Sequence, residues 1–173
     1  MKRYYIGIDP DLERSGFAVV DREEKRIVDA CNLGLFELID KCRAWSAQTD
    51  GNVLVCVEAG WLNKISNFHT HSYRNTSEVR RAMRIAKNVG ENHSAGKTII
   101  EGLKHYGIEH TAVKPLLKHW QGKDGKITRE ELALITGFNE RTNQDVRDAS
   151  LLAWVCANLP IRLSRDRTNS KSI

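Results

Sequence analysis

Apolar positions along the chain change period several times, and each change marks an element. Residues 4–9 (YYIGID) combine aromatic and β-branched side chains and stop at Pro10, which predicts a short buried strand. A second strand is expected from Gly16 to Val20 and a third from Lys25 to Leu33, joined by short polar turns as in an antiparallel meander. Leu35, Leu38, Ile39, Cys42 and Trp45 then recur at helical spacing up to about Thr49, with Asp50-Gly51-Asn52 ending the helix. Val53 to Val57 is an unbroken apolar run of the kind found in strands covered on both faces. Residues 63–75 are polar and irregular and read as a loop.

A helix is expected from about Ser77, where Val79, Ala82, Met83, Ala86, Val89 and His93 step by three and four. Gly90 and Gly96 weaken it, so a separate helix is expected over 98–106. Ile108 to Val113 reads as the last strand, before Lys114-Pro115. Two short helices follow at 115–120 and 128–136 around the loop GKDGK, and a final one spans about 143–158. The order predicts one α/β domain with a mixed sheet over residues 1–160, and a basic, disordered tail at 161–173.

The hydrophobic fraction of 40% and charged fraction of 28% are those of an ordinary soluble protein. No apolar run reaches the ~18 residues needed to cross a bilayer, and residues 1–10 hold no signal-peptide core, so no membrane association and a cytoplasmic location are expected. Cys31, Cys42, Cys56 and Cys156 form no CxxC pair, and His69-x-His71 has no second ligand pair, which leaves zinc without support. Charge is unevenly placed. Residues 63–126 carry 12 Lys and Arg against 5 Asp and Glu, whereas residues 1–62 carry 8 against 11. A basic middle of this kind fits a polyanion partner, and equally a solvated basic helix.

The chemistry lies in the acids. Asp9 closes the first strand and Glu58 closes the run Val53–Val57, so both fall at C-terminal strand ends, where α/β sheets collect ligand sites. Asp145 and Asp148 share one face of the last helix, with Leu151, Leu152 and Val155 expected on the opposite face, against the sheet. Four clustered carboxylates repel one another unless cations sit among them, and hard oxygen donors without His or Cys select Mg²⁺ or Mn²⁺. Two such ions suit phosphoryl displacement. Singly, each acid has a bland explanation: a turn residue for Asp9, a dipole-favoured first-turn residue for Asp145.

The opening Ile-Gly-Ile-Asp-Pro, the later Ser-Gly-Phe-Ala-Val-Val, the strand-end Glu58 and the motif Asp145-x-x-Asp148 together resemble RuvC-type Holliday-junction resolvases. That resemblance spans nearly the whole chain. It implies an RNase H-like fold with a mixed five-stranded sheet flanked by helices, a homodimer, two Mg²⁺ (or Mn²⁺) ions per site, and hydrolysis of four-way DNA junctions. It makes Asp9, Glu58, Asp145 and Asp148 the metal-binding acids and Trp61 the aromatic that stacks on DNA. Lys118 and Arg129 fall near two DNA-binding basic positions of the family, and Lys123 and Lys126 in the intervening loop are added as DNA contacts. The chain departs from the pattern at Asp11, where the family has Gly, and across 63–76. Two alternatives carry less. Actin-like phosphotransferases also open on Gly-Ile-Asp, but they need a Gly/Thr-rich phosphate loop and a second domain. A non-catalytic nucleic-acid binder has no use for all four acids. The stripe Val79, Met83, Ala86, Val89 is expected either to form the dimer interface or to pack on its own sheet.

Overall fold

The computed structural model describes residues 1–63 and 76–161. Five strands form one sheet: β1 (Tyr4–Asp9), β2 (Ser15–Asp21), β3 (Arg26–Leu33), β4 (Val53–Glu58) and β5 (His110–Val113). Their spatial order is β3-β2-β1-β4-β5, with β1, β2 and β3 antiparallel and β4 and β5 parallel to β1. The meander and the mixed sheet are as the sequence patterning predicts. The register pairing Ile8 with Val57 carries on to bring Asp9 and Glu58 side by side at one edge.

Helices cover both faces, and side-chain alternation along the strands decides which residues each helix meets. Ile6, Ile8, Phe17, Val19, Val53, Val55 and Val57 point to α1 (Leu35–Gln48) and α2 (Thr76–His105), where they meet Leu38, Cys42, Ile99 and Leu103. Tyr5, Val20 and Cys56 point to α4 (Gln144–Cys156) and pack on Leu152, Ala153 and Trp154. α3 (Arg129–Thr136) lies outside α4, with Leu132 buried against Leu151 and Ile127. Among the described residues no helix is long and apolar enough to cross a membrane.

The structure departs from the sequence expectation in three places. First, residues 76–105 form one helix of 30 residues rather than two. A glycine costs a helix only ~1 kcal/mol relative to Ala, which strong helix formers on either side outweigh. Gly90 touches nothing, and Gly96 is small because the Trp61 ring lies against it, 2.7 Å from where a Cβ would stand. Second, residues 115–120 are not helical. The end of the segment is held by later residues: Trp120 N–H donates to the Gly125 carbonyl, and the following amide, Gln121 N–H, to the Glu131 carboxylate. That same carboxylate accepts from Thr128 N–H in a capping box, which ties the loop to the start of α3.

The third departure concerns α4. Ala149, Leu152 and Ala153 pack on the sheet from the same face that carries Asp145 and Asp148, so acids and core residues are not on opposite faces. One stripe is apolar where it covers the sheet and acidic where its first turn passes the strand ends. Two glycines let the helix come so close. A Cβ on Gly7 would stand 2.1 Å from the Ala149 carbonyl oxygen, and one on Gly16 would stand 2.1 Å from that of Asp145. The α4 backbone therefore lies directly on β1 and β2.

Candidate active site

Three elements deliver the carboxylates. Strand alternation turns Asp9 to the α4 side of β1, since Tyr5 and Gly7 face that helix. Glu58 follows Leu54 and Cys56 on the same side of β4. α4 begins at Asn143, whose side-chain oxygen accepts from Val146 N–H at 3.1 Å while its amide donates to Asp145 at 3.3 Å. One turn on, Asp148 accepts from Gln144 Nε2 at 2.7 Å and pairs with Lys126 Nζ at 3.2 Å. Arg147 steadies Gln144 from behind, donating to its side-chain oxygen at 2.8 Å.

The electrostatics mark these acids as one site. Burial pushes the Asp9 carboxyl well above its ordinary value of 3.8, and the charges of Glu58, Asp148 and Asp145 push it further, against the pull of Lys126. Glu58 is raised by burial and by Asp148, and partly relieved by Lys118 and Lys126. Asp145 is raised by burial and by the charges of Asp11 and Asp148. Lys126 loses hydration but gains more from Asp148, Asp9 and Asp145, so its ammonium is held charged. Asp11, the departure in the sequence motif, serves its own turn, accepting from the N–H groups of Glu13 and Arg14. It lines the same cleft as the four acids and adds its charge to that of Asp145.

Among the described residues no three acidic, His or Cys side chains converge tightly enough to enclose an ion as they stand. The donor set nevertheless fits a hard divalent cation. Four carboxylates meet at one edge, three of them hold protons more tightly than free carboxyls, and among the described residues the counter-charge at hydrogen-bond range is Lys126.

A cleft of about 600 Å³ opens over the cluster. One wall comes from α2, with Asn88, Asn92 and His93, and the other from Leu116, Lys118 and Trp120. Trp61 sits in a 3-10 turn (Gly60–Leu62) at the rim, half-buried against Gly96, with His93 edge-on at 5.9 Å and Lys97 Nζ 5.9 Å from its ring. Of the basic residues singled out in the sequence, Lys118 and Lys126 line this cleft. Lys123 is exposed in a 3-10 turn outside it, and the Arg129 guanidinium donates to the Asn139 carbonyl. The sequence reading missed Gln144, whose spacing of four from Asp148 on one helix was the available signal. It also missed Asn88 and Asn92, which stand out only once α2 is seen to wall the cleft. Residues 64–75, read as a loop, and 162–173, read as a tail, lie outside the described residues.

No family model matches the sequence, and no curated protein matches it. Solved structures do. A Thermus thermophilus RuvC in complex with a Holliday junction substrate aligns over 87% of this chain and 89% of its own, at 18% identity and a TM-score of 0.50. A second Thermus thermophilus RuvC structure aligns over 87% and 90% at 20% identity, with a TM-score of 0.44. The first likeness, with the strand order and flanking helices, defines the class: an α/β protein of the RNase H-like fold. Within that class the chain has the architecture of RuvC, so the resemblance read from the sequence motifs is borne out in the fold.

Proposed function

We propose that this chain is a divalent-metal-dependent endonuclease that resolves four-way DNA junctions by phosphodiester hydrolysis, working as a homodimer. The observation that carries this reading is the meeting of Asp9, Glu58, Asp145 and Asp148 at one sheet edge, at the floor of a cleft that also holds Lys118 and Lys126. Its support from likeness is the shared fold with a RuvC that was solved on a junction.

In this reading the four carboxylates hold two Mg²⁺ or Mn²⁺ ions, which supply a water activated at neutral pH and a stabilised leaving oxygen. The residues of the chain do the rest. Asn143 and Gln144 orient Asp145 and Asp148 through side-chain hydrogen bonds. Lys118 and Lys126 draw the phosphate backbone toward the acids, and the Trp61 ring offers a stacking platform for an unpaired base at the rim. Lys123 and Arg129 would meet phosphates farther along the backbone. Two strands of a junction must be cut, which calls for two sites related by a two-fold axis. Of the stripe Val79, Met83, Ala86, Val89, the first three are available for that contact, whereas Val89 lines the cleft. None of its residues belongs to the sheet core, and Met83 is 66% exposed.

The deciding experiment is cleavage of four-way junction, flap and linear duplex DNA with Mg²⁺ or Mn²⁺. Paired nicks in the junction are expected, with the linear duplex left intact; no cleavage of any substrate with either ion ends the nuclease reading. Light scattering at micromolar concentration should report a dimer, and a species of 19.7 kDa alone removes the two-fold arrangement.

Ion binding should also register in stability. A cation at a hundred times its Kd stabilises the folded chain by ~2.7 kcal/mol, a rise of about 5–10 °C in Tm for a chain of this size. The rise should shrink toward pH 4, where the carboxyls hold protons and bind no metal. An unchanged Tm at neutral pH under saturating Mn²⁺ argues against the metal site.

Binding tests the cleft walls. Lys118→Ala should weaken junction affinity across sequences and lower the salt slope by about one. Trp61→Ala should cost roughly ten- to a hundredfold in junction binding or cleavage. Because its ring packs on Gly96, some loss of Tm is expected as well. Trp61→Phe keeps a stacking face, so it should recover most of the activity; a Phe variant as impaired as Ala removes stacking as the role.

A further inference from the structure

Residues 122–126, the loop GKDGK, add nothing to the apolar cores on either side of the sheet, yet their backbone is firmly held. The loop turns back through Asp124 and Gly125, both at positive φ. Gly122 N–H donates to the Lys126 carbonyl at 3.0 Å, and Lys126 N–H to the Lys123 carbonyl at 3.2 Å. The next residue, Ile127, is buried, and its carbonyl accepts from Gln144 Nε2 at 3.2 Å and from Arg147 Nε at 3.3 Å. Arg147 also donates to the Thr142 carbonyl at 2.6 Å. The loop is therefore tied to the start of the helix that carries Asp145 and Asp148.

What this scaffold delivers is one ammonium. Lys126 Nζ lies 3.2 Å from one oxygen of Asp148, Oδ2, while Gln144 Nε2 holds the other, Oδ1, at 2.7 Å. Both oxygens of Asp148 thus have a donor, and the two donors differ in kind. An ion such as Mg²⁺ binds a carboxylate oxygen at about 2.0–2.1 Å. At that distance from Oδ2 it sits beside the ammonium, and two positive charges so close repel strongly away from bulk water. The neutral Gln144 amide meets no such repulsion and can stay. The lysine can leave without backbone movement, because its four-carbon stem is flexible and 32% of its side chain is already exposed where it lines the cleft.

We propose that Lys126 is the resident counter-ion of the carboxylate cluster, which a divalent cation displaces from Asp148 and so frees to hold a DNA phosphate. The proposal rests on the nuclease reading above and adds a regulation to it: metal and DNA bind cooperatively. In the metal-free chain the Lys126 charge is engaged by Asp148. Once a metal neutralises the acids, that charge turns to the cleft, where Lys118 also stands. Metal then tightens DNA binding by some factor, and reciprocity requires DNA to tighten metal binding by the same factor. Without DNA, the ion pair holds metal affinity down, since an entering ion must first displace the lysine.

Mn²⁺ binding by the full-length chain is measured by isothermal titration calorimetry at neutral pH, without DNA. Lys126→Gln should bind Mn²⁺ about tenfold more tightly than wild type, because no ammonium has to be displaced. Lys118→Gln removes the same charge from the same cleft but breaks no ion pair among the described residues, so its Kd should move far less. In the wild type, acetylation of Lys126 by acetic anhydride, read by peptide mapping, should quicken severalfold under saturating Mn²⁺, while the exposed Lys123 keeps its rate. Junction affinity, with Ca²⁺ in place of Mn²⁺ to keep the DNA intact, should gain more from the ion in wild type than in Lys126→Gln. Equal Mn²⁺ affinity of Lys126→Gln and wild type, an equal gain in Lys118→Gln, or an equal effect of Ca²⁺ on junction binding overturns the proposal and leaves the metal site standing. No Mn²⁺ binding by any of the three proteins removes the metal reading, and the proposal with it. Should Lys126→Gln fold poorly, the wild-type labelling decides: an unchanged Lys126 rate with Mn²⁺ bound overturns the displacement.

Discussion

Asp9→Asn is expected to abolish junction cleavage while raising the stability of the metal-free protein at neutral pH. The first effect follows from the site: the amide keeps the shape of the carboxyl but is a poor ligand for a hard cation, and Asp9 lies among Glu58, Asp145 and Asp148. A loss of 10³-fold or more, about 4 kcal/mol in the barrier, is expected. Junction binding should persist, because removing a negative charge does not weaken attraction to phosphate.

The second effect has the opposite sign because burial and like charges hold the Asp9 carboxyl above its ordinary value of 3.8. Below pH ~3.8 the group is protonated in both states and costs the fold nothing. Above it the unfolded chain releases this proton while the folded chain keeps it, so this contribution to stability falls as pH rises through the folded value. Asparagine has no such proton to release. The Tm advantage of Asp9→Asn should therefore grow as pH rises toward neutrality without metal and fade toward pH 4. Thermal melts of both proteins in chelator across that range read it directly. A variant less stable than wild type at every pH would mean that the carboxylates are not in repulsive contact.

Gly16→Ala should damage the site from behind, without touching any acid. The added methyl would stand 2.1 Å from the Asp145 carbonyl oxygen and 2.9 Å from the Val146 nitrogen, both backbone atoms that no rotamer change can move. The first turn of α4 must withdraw by about 1 Å, and a displacement of that size can cost ~10²-fold in rate. Overpacking of this kind costs roughly 1–3 kcal/mol, or about 2–12 °C in Tm. The expected result is a folded protein with a lowered Tm and cleavage reduced about a hundredfold. Wild-type activity and Tm together would show that α4 has slack on β2, contrary to its close seat there.

Much of this protein was legible in the chain because its signals are local. Strands β1 to β4 were marked by β-branched runs with turn residues between them, and the ends of those runs placed Asp9 and Glu58 at strand ends. The Asp145-x-x-Asp148 spacing put two acids on one helical face. Residues 76–105 run as one helix through Gly90 and Gly96, because the helix formers on either side outweigh the cost of the glycines. Other features had no local signature. Residues 115–120 have an apolar pattern that suits a helix, yet their C-terminal end is tied down by later residues, with the Trp120 amide on the Gly125 carbonyl and the next amide, of Gln121, on the Glu131 carboxylate. The face of α4 was misjudged because helical periodicity tells which residues share a side, not where along that side the sheet ends. Only the tertiary structure brings Lys126 to Asp148, since such a pairing depends on how the chain returns to itself. The sequence singled out the candidate acids, through periodicity and residue type. Packing decided which of them meet, because backbone approach, burial and like-charge contact exist only between elements that the fold has already brought together.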